Sequence, residues 1–106
     1  MMFRAFIHIF LHVAIPGMVA WVSFRNILMR AWLVMLATTL IDLDHLLADP
    51  IYDATRCSIG FHLLHQYPII VFYALLALWP KTRLIGVGLV IHMILDGIDC
   101  LWMQYD

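Results

Sequence analysis

The sequence has 106 residues, of which 65% are hydrophobic and only 12% are charged, and its formal net charge is −1. Soluble domains are about half apolar and about a quarter charged, so this composition excludes both a water-soluble monomer and intrinsic disorder. The length fits one domain, and the nearly balanced charge excludes an electrostatic interface for nucleic acid. All seven acidic residues are aspartates, and they occur beside six histidines.

Four apolar stretches are long enough, or nearly long enough, to cross a hydrocarbon core of about 30 Å as helices. The predicted spans cover residues about 3–24, 31–49, 61–79 and 82–102, and Pro50 is a natural stop for the second. Short connectors make sequential helices antiparallel neighbours. The sequence therefore predicts an all-α polytopic membrane protein whose single domain is a four-transmembrane-helix antiparallel bundle.

The positive charges predict an orientation for this bundle. The first and third connectors carry Arg25, Arg30, Lys81 and Arg83, and the opposite side carries Arg4 and Arg56. Because Lys and Arg are enriched in cytoplasmic loops, both termini are expected on the extracytoplasmic side of the membrane. Cys57 and Cys100 then lie where a disulfide is permitted, and two free buried thiols are the alternative.

The ionisable residues concentrate in one half of each predicted helix. In chain order they are His8, His12, Asp42, Asp44, His45, Asp49, His62, His65, His92, Asp96 and Asp99. Antiparallel topology brings these halves to the same end of the bundle, and the helical period places each set on one stripe, except for Asp44. An aspartate at mid-membrane costs about 2.5–3.5 kcal/mol, so these groups must meet each other, water or a cation. Asp53 and Asp106 are expected to be solvated.

A divalent metal is the cation that this residue set fits best. Imidazoles and carboxylates bind Zn²⁺, and also Mn²⁺ or Fe²⁺, and paired residues on helices build such sites in bundles. The predicted ligands of one or two ions are His12, Asp42, His45, His62, His65, His92 and Asp96. Asp44 and Asp99 are predicted to act in catalysis as a general base, or to orient a ligand imidazole. Arg56 is predicted to hold a substrate phosphate, with anchoring to lipid head groups as the alternative.

The same residues form short strings in a specific order. Asp42-Leu43-Asp44-His45 comes first, His62 and His65 follow, and His92-Met93-Ile94-Leu95-Asp96 comes last. This order resembles the membrane-bound metal-dependent hydrolases related to the LexA-regulated inner-membrane protein, which show D-x-D-H, paired-histidine and H-x-x-x-D strings after an early histidine. The resemblance implies a zinc-dependent hydrolase, with His8 or His12 as the early ligand.

The chain differs from those hydrolases at several positions. A second family resemblance covers more of the chain. The paired histidines of those hydrolases lie in H-R-G-x-T-H-S, where this chain has His62-Leu63-Leu64-His65, and Ile41 replaces a proline before D-x-D-H. Nearly the whole chain is similar to a family of small bacterial membrane proteins of unknown function. The shared strings are Asp42 to Pro50, Arg56 to His62 and Ile91 to Cys100. This second resemblance implies no activity.

The predicted function is hydrolysis of a lipid ester or phosphoester at a metal site near one membrane face. Lipids are the partners and substrates that reach this depth, and a homo-oligomer would enlarge the pocket of so small a chain. Two alternatives remain, a metal-stapled bundle without catalysis and a subunit that transports metal ions or protons. Conduction requires polar residues across the whole membrane, and here they stop halfway.

Overall fold

The computed structural model describes residues 2–49 and 56–104. The predicted stop at Pro50 and the solvated charges predicted at Asp53 and Asp106 lie outside these residues. The described parts form four α-helices, which are α1 (Met2–Ser23), α2 (Leu28–Ala37), α3 (Tyr67–Leu78) and α4 (Arg83–Met103). Short 3₁₀ helices precede α2 (Arg25–Ile27), continue it (Thr38–Leu47) and precede α3 (Leu63–His65). The all-α class is confirmed.

Three helical segments are long and apolar enough to cross a membrane. They are Phe3–Ser23, Arg25–Leu47 and Arg83–Met103, whereas α3 has only 12 residues and a length of about 18 Å. Large apolar side chains point outward along the bundle, among them Phe6, Val22 and Leu78, each at least 70% exposed. Such an exterior suits hydrocarbon and not water.

Helix α3 begins at Tyr67, whereas the sequence predicts the third span from about residue 61. A long-range contact explains the difference. The Asp44 carboxylate accepts the backbone N–H of Leu64 at 2.7 Å, which holds this segment as a 3₁₀ turn. Gln66 is extended, and Pro68 then lies in the first turn of α3, where a proline is tolerated.

The second helical segment begins before the predicted residue 31, with α2 starting at Leu28, and it changes from α to 3₁₀ geometry at Thr38. The hydroxyls of Thr38 and Thr39 donate to the carbonyls of Met35 and Leu36 at 2.5 and 2.7 Å. These bonds compete with the helical backbone bonds, so they favour a change of winding. With three residues per turn, the carboxylates that follow take directions that an ideal α-helix would not give them.

Helix α4 is the centre of the bundle, because it packs against each of the other three helices. Two glycines allow this close approach. A Cβ on Gly86 would collide with the backbone nitrogen of Ala77 in α3, and a Cβ on Gly88 would lie 2.9 Å from the Thr38 hydroxyl. At the end where α1 and α2 are connected, Ala20, Ala31 and Met35 form an apolar core.

The two cysteines, Cys57 and Cys100, form a disulfide with their Cα atoms 5.0 Å apart. The sequence left open a disulfide or two free buried thiols, and the structure has the disulfide. The bond ties the segment before α3 to the last turns of α4. This is also the end of the bundle to which topology brings the histidines and aspartates.

Candidate metal centre

One end of the bundle buries polar side chains in place of an apolar core. Six polar or charged residues in the described part of the chain are at most 5% exposed: Arg4, Asp44, His62, His65, His92 and Asp96. Three groups of side chains place their ligand atoms within 4.8 Å of one another. We name them site 1 (Asp42, His65, His92, Asp96), site 2 (His8, His12, Asp96) and site 3 (Asp44, His45, His62). The predicted convergence of the polar half-helices is present.

Site 1 joins four donor atoms from three separate segments. The Nε2 atoms of His65 and His92 lie 3.0 and 3.2 Å from Asp96 Oδ2. The same two nitrogens lie 3.3 and 3.1 Å from Asp42 Oδ1. Two ligand atoms at 2.0–2.1 Å from one tetrahedral Zn²⁺ are about 3.3 Å apart, so the spacing fits a single ion.

A buried carboxylate fixes the orientation of His65. Asp44 Oδ2 lies 2.9 Å from His65 Nδ1 and also accepts the backbone N–H of Leu64. Asp44 is itself buried, and its other oxygen lies 3.0 Å from His45 Nδ1. A carboxylate that holds one ring nitrogen of a histidine leaves the other free to bind a metal, as outer-shell partners do in metal sites.

In its neutral form, His65 would turn a free nitrogen towards two carboxylates. A neutral imidazole has one N–H, and the Asp44 contact occupies it at Nδ1, so Nε2 is an acceptor. This acceptor faces the oxygens of Asp42 and Asp96, which are acceptors as well. Within the described residues, neither His65 Nε2 nor Asp96 Oδ2 has a hydrogen-bond partner. Buried acceptors that face each other repel unless a positive charge lies between them.

Site 2 uses the other oxygen of Asp96. The Nε2 atoms of His8 and His12 lie 3.1 and 3.3 Å from Asp96 Oδ1. His12 Nδ1 lies 2.8 Å from the carbonyl oxygen of His8 and donates to it, which leaves Nε2 as the free nitrogen. Asp99 Oδ1 lies 3.9 Å from His8 Nδ1 and accepts a 3.0 Å hydrogen bond from Arg4.

Site 3 differs from the other two in its geometry. The rings of His45 and His62 are stacked, with centroids 3.7 Å apart and planes 22° apart. A histidine binds metal through a lone pair in its ring plane, so nearly parallel stacked rings do not aim at a common ion. Burial, with the nearby His45 ring, lowers the pKa of His62 below its ordinary value.

A cavity of about 410 Å³ opens beside the three sites. Its lining includes four residues of the three sites, which are His8, Asp42, His45 and His62, together with Arg4 and Arg56. The Asp42 side chain is 45% exposed, so it is the part of site 1 that faces this space. The volume is typical of small-molecule sites.

The structure places every sequence-predicted site residue at this end. The seven predicted ligands belong to the three sites, and Asp44 occupies the position that orients His65. Asp99 contacts Arg4, while Arg56 lines the cavity with its guanidinium 4.8 Å from the Phe61 ring centroid. The predicted ligand set took His12 and left out His8. Their spacing of four residues, which places both rings on one helical face, was the available signal.

No curated protein and no solved structure matches the chain. A model of a protein family does match it, over residues 2–103 and therefore across all four helices. The match assigns no activity. By this match, the chain belongs to a family of unknown function, DUF6122.

Proposed function

We propose that the protein is a membrane-embedded, metal-dependent hydrolase that cleaves a lipid ester or phosphoester, with Zn²⁺ as the preferred ion. The observation that carries the proposal is site 1. There, Asp44 directs the free nitrogen of His65 towards the oxygens of Asp42 and Asp96, at distances that suit one tetrahedral ion. Mn²⁺ and Fe²⁺ accept the same donors.

Residues of the chain would position the substrate for this reaction. A bound Zn²⁺ ion would lower the pKa of a water molecule towards about 7 and so provide a nucleophile. Arg4 and Arg56 line the cavity, where guanidinium groups can bind a phosphate or carboxylate group in bidentate fashion. Asp99 is a positioning residue, because its hydrogen bond fixes Arg4. In hydrolysis, water adds to the ester carbon or phosphorus, and the alcohol leaves with a proton.

Two neighbouring spaces support a lipid as the substrate. A groove of about 300 Å³ runs between α1 and the second segment, with Ile9, Val13 and Leu36 among its lining residues. His8, Ile9 and Asp42 line both this groove and the larger cavity. A polar cavity with two arginines would take a head group, and the apolar groove would take an acyl chain. The metal ligands lie where the two spaces meet.

The proposed setting is a four-span bundle in the bacterial inner membrane, with α3 as a short fourth span. Three segments support it by their length and apolar character. The Cys57–Cys100 disulfide supports an extracytoplasmic position for the metal centre, since disulfides persist in oxidising compartments. The predicted positive-inside orientation points the same way.

A metal-stapled bundle without catalysis is the second candidate. Site 1 favours it, because four protein donors can fill all positions of a tetrahedral ion and leave none for water. The two candidates make different predictions. An enzyme turns over substrate in the cavity, whereas a staple binds metal and does not.

Metal analysis of the detergent-purified protein tests the proposal. We expect bound zinc in the wild type and loss of the site 1 ion in His92→Ala and Asp42→Ala. Asp49→Ala is the matched control, because Asp49 is exposed and belongs to none of the three sites. Lipid esters and phosphoesters in mixed micelles would then be assayed with the metal-loaded protein. Absence of metal from the wild type after reconstitution would overturn the proposal, and metal binding without turnover would support the staple.

A further inference from the structure

Asp96 presents its two carboxylate oxygens to two different sets of histidines. Oδ2 lies 3.0 Å from His65 Nε2 and 3.2 Å from His92 Nε2 in site 1. Oδ1 lies 3.1 Å from His8 Nε2 and 3.3 Å from His12 Nε2 in site 2. The carboxylate is 5% exposed, so water does not account for these contacts. Its two oxygens face opposite groups, as they do when a carboxylate bridges two ions.

Site 2 carries its own evidence for an ion, independent of site 1. His12 donates from Nδ1 to the His8 carbonyl, so its Nε2 faces Asp96 with a lone pair. Among the residues that the structure describes, this nitrogen has no hydrogen-bond partner, although less than 1 Å² of it is exposed. The separations of 3.1 and 3.3 Å between the two histidine nitrogens and Asp96 Oδ1 match the spacing of about 3.3 Å expected for two donors on one tetrahedral zinc.

The two sites differ in how open they are. The His65 and His92 side chains are 0% and 2% exposed, whereas the His8 side chain is 26% exposed and lines both the cavity and the groove. Site 2 has three donors in the described chain, from His8, His12 and Asp96. Three protein ligands with one open position are typical of a catalytic zinc site, and closed sites are typical of structural zinc.

Site 3 does not offer the same arrangement. Both oxygens of Asp44 already contact donors, which are His45 Nδ1 on one side and Leu64 N with His65 Nδ1 on the other. The stacked rings of His45 and His62 do not converge on one point. This group therefore orients His65 and lines the cavity.

We propose that the protein holds two divalent metal ions, one in site 1 and one in site 2, and that Asp96 bridges them. The inference rests on the proposed function for the ion in site 1 and adds the second ion, its ligand His8 and the bridge. Paired ions about 3.5–4 Å apart stabilise both the attacking and the leaving oxygen of a phosphoryl displacement. A two-ion centre therefore favours a lipid phosphoester over a carboxylic ester as substrate.

Metal stoichiometry of the detergent-purified, disulfide-bonded protein tests the inference. We expect two ions per chain in the wild type and in Asp49→Ala, and one ion in the double variant His8→Ala/His12→Ala. Asp96→Ala should retain at most one. Electron paramagnetic resonance of the Mn²⁺-loaded wild type provides a second measurement without any substitution. It should show an exchange-coupled pair, and the double variant should show isolated Mn²⁺.

The outcomes separate this inference from the proposed function. One ion per wild-type chain would overturn the two-ion centre, and hydrolysis by that protein would leave the proposed function intact. Three ions, or two ions retained by His8→Ala/His12→Ala, would also overturn the assignment of the second ion to site 2. Two exchange-coupled ions without hydrolysis of any lipid would uphold the centre and count against the enzyme.

Discussion

The two ends of the bundle bury opposite kinds of side chain inside the same apolar exterior. At the end where α1 meets α2, Ala20, Ala31 and Met35 are at most 1% exposed and pack against other apolar residues. At the other end, His65 and Asp96 are also enclosed. Burial of apolar groups contributes to stability, whereas burial of ionisable groups opposes it unless a counter-charge is present. One end therefore has an apolar core, and the other has a buried polar cluster that a counter-charge would stabilise.

Because the two ends differ in this way, substitutions can test stability and metal binding separately. Variants at the apolar end should change the free energy of unfolding and leave metal binding alone. Variants among the polar groups should change metal affinity first. The disulfide lies between these cases, because it secures the polar end without contributing a ligand.

The largest expected effect is loss of the disulfide. Cys57 and Cys100 are 43 residues apart, and closing a loop of that length in the unfolded chain stabilises the folded state by about 4 kcal/mol. The variant Cys57→Ser/Cys100→Ser should lose about this amount, measured by denaturant unfolding in detergent micelles. Metal loading should recover part of it, because a ligand that binds only the folded state stabilises that state. Unchanged stability would mean that packing and metal alone hold the polar end.

A smaller effect is expected in the packing of α3 on α4. Gly86→Ala places a methyl group against the Ala77 backbone, so the helices must separate, at a cost of about 1–3 kcal/mol. Gly97→Ala is the matched control on the same helix, because a Cβ at Gly97 would meet nothing within 4 Å. Helix propensity predicts a gain of up to about 1 kcal/mol there. Thermal unfolding should shift in opposite directions, and equal shifts would contradict close packing at Gly86.

Substitution of Asp44 should have the smallest effect on stability and a clear effect on metal binding. Asp44→Asn keeps an acceptor for the Leu64 N–H and removes the charge that orients His65. Loss of such a partner lowers metal affinity by about 10–100-fold. Competition with a chromophoric chelator would measure the change, with Asp49→Asn as the control. Equal affinity in the two variants would show that His65 is oriented without the carboxylate.

Much of the site can be predicted from the sequence because the antiparallel topology determines which half-helices lie together. Any antiparallel bundle brings the polar halves of successive helices to one end, so the gathering of His12, Asp42, His65 and His92 follows from their positions alone. The apolar end is predictable for the same reason. His8 is one turn from His12 and shares its face, so the paired spacing carried information that the predicted ligand set did not use.

The parts that the sequence does not predict depend on contacts between distant residues. Leu63 and Leu64 continue an apolar run, and the hydrogen bond from the Leu64 N–H to a carboxylate 20 residues away holds this segment outside α3. The direction of Asp44 depends on 3₁₀ winding, which local composition does not reveal. The pairing of two cysteines 43 residues apart likewise depends on the fold.

The central position of α4 has a consequence for biogenesis. A ribosome makes α1, α2 and α3 first, and His92 and Asp96 enter the membrane only with α4. Until then, His12 and His65 lack the Asp96 carboxylate that both contact, and the cavity lacks the residues of α4 that line it. The polar end of the bundle is therefore completed only when the last helix has been made.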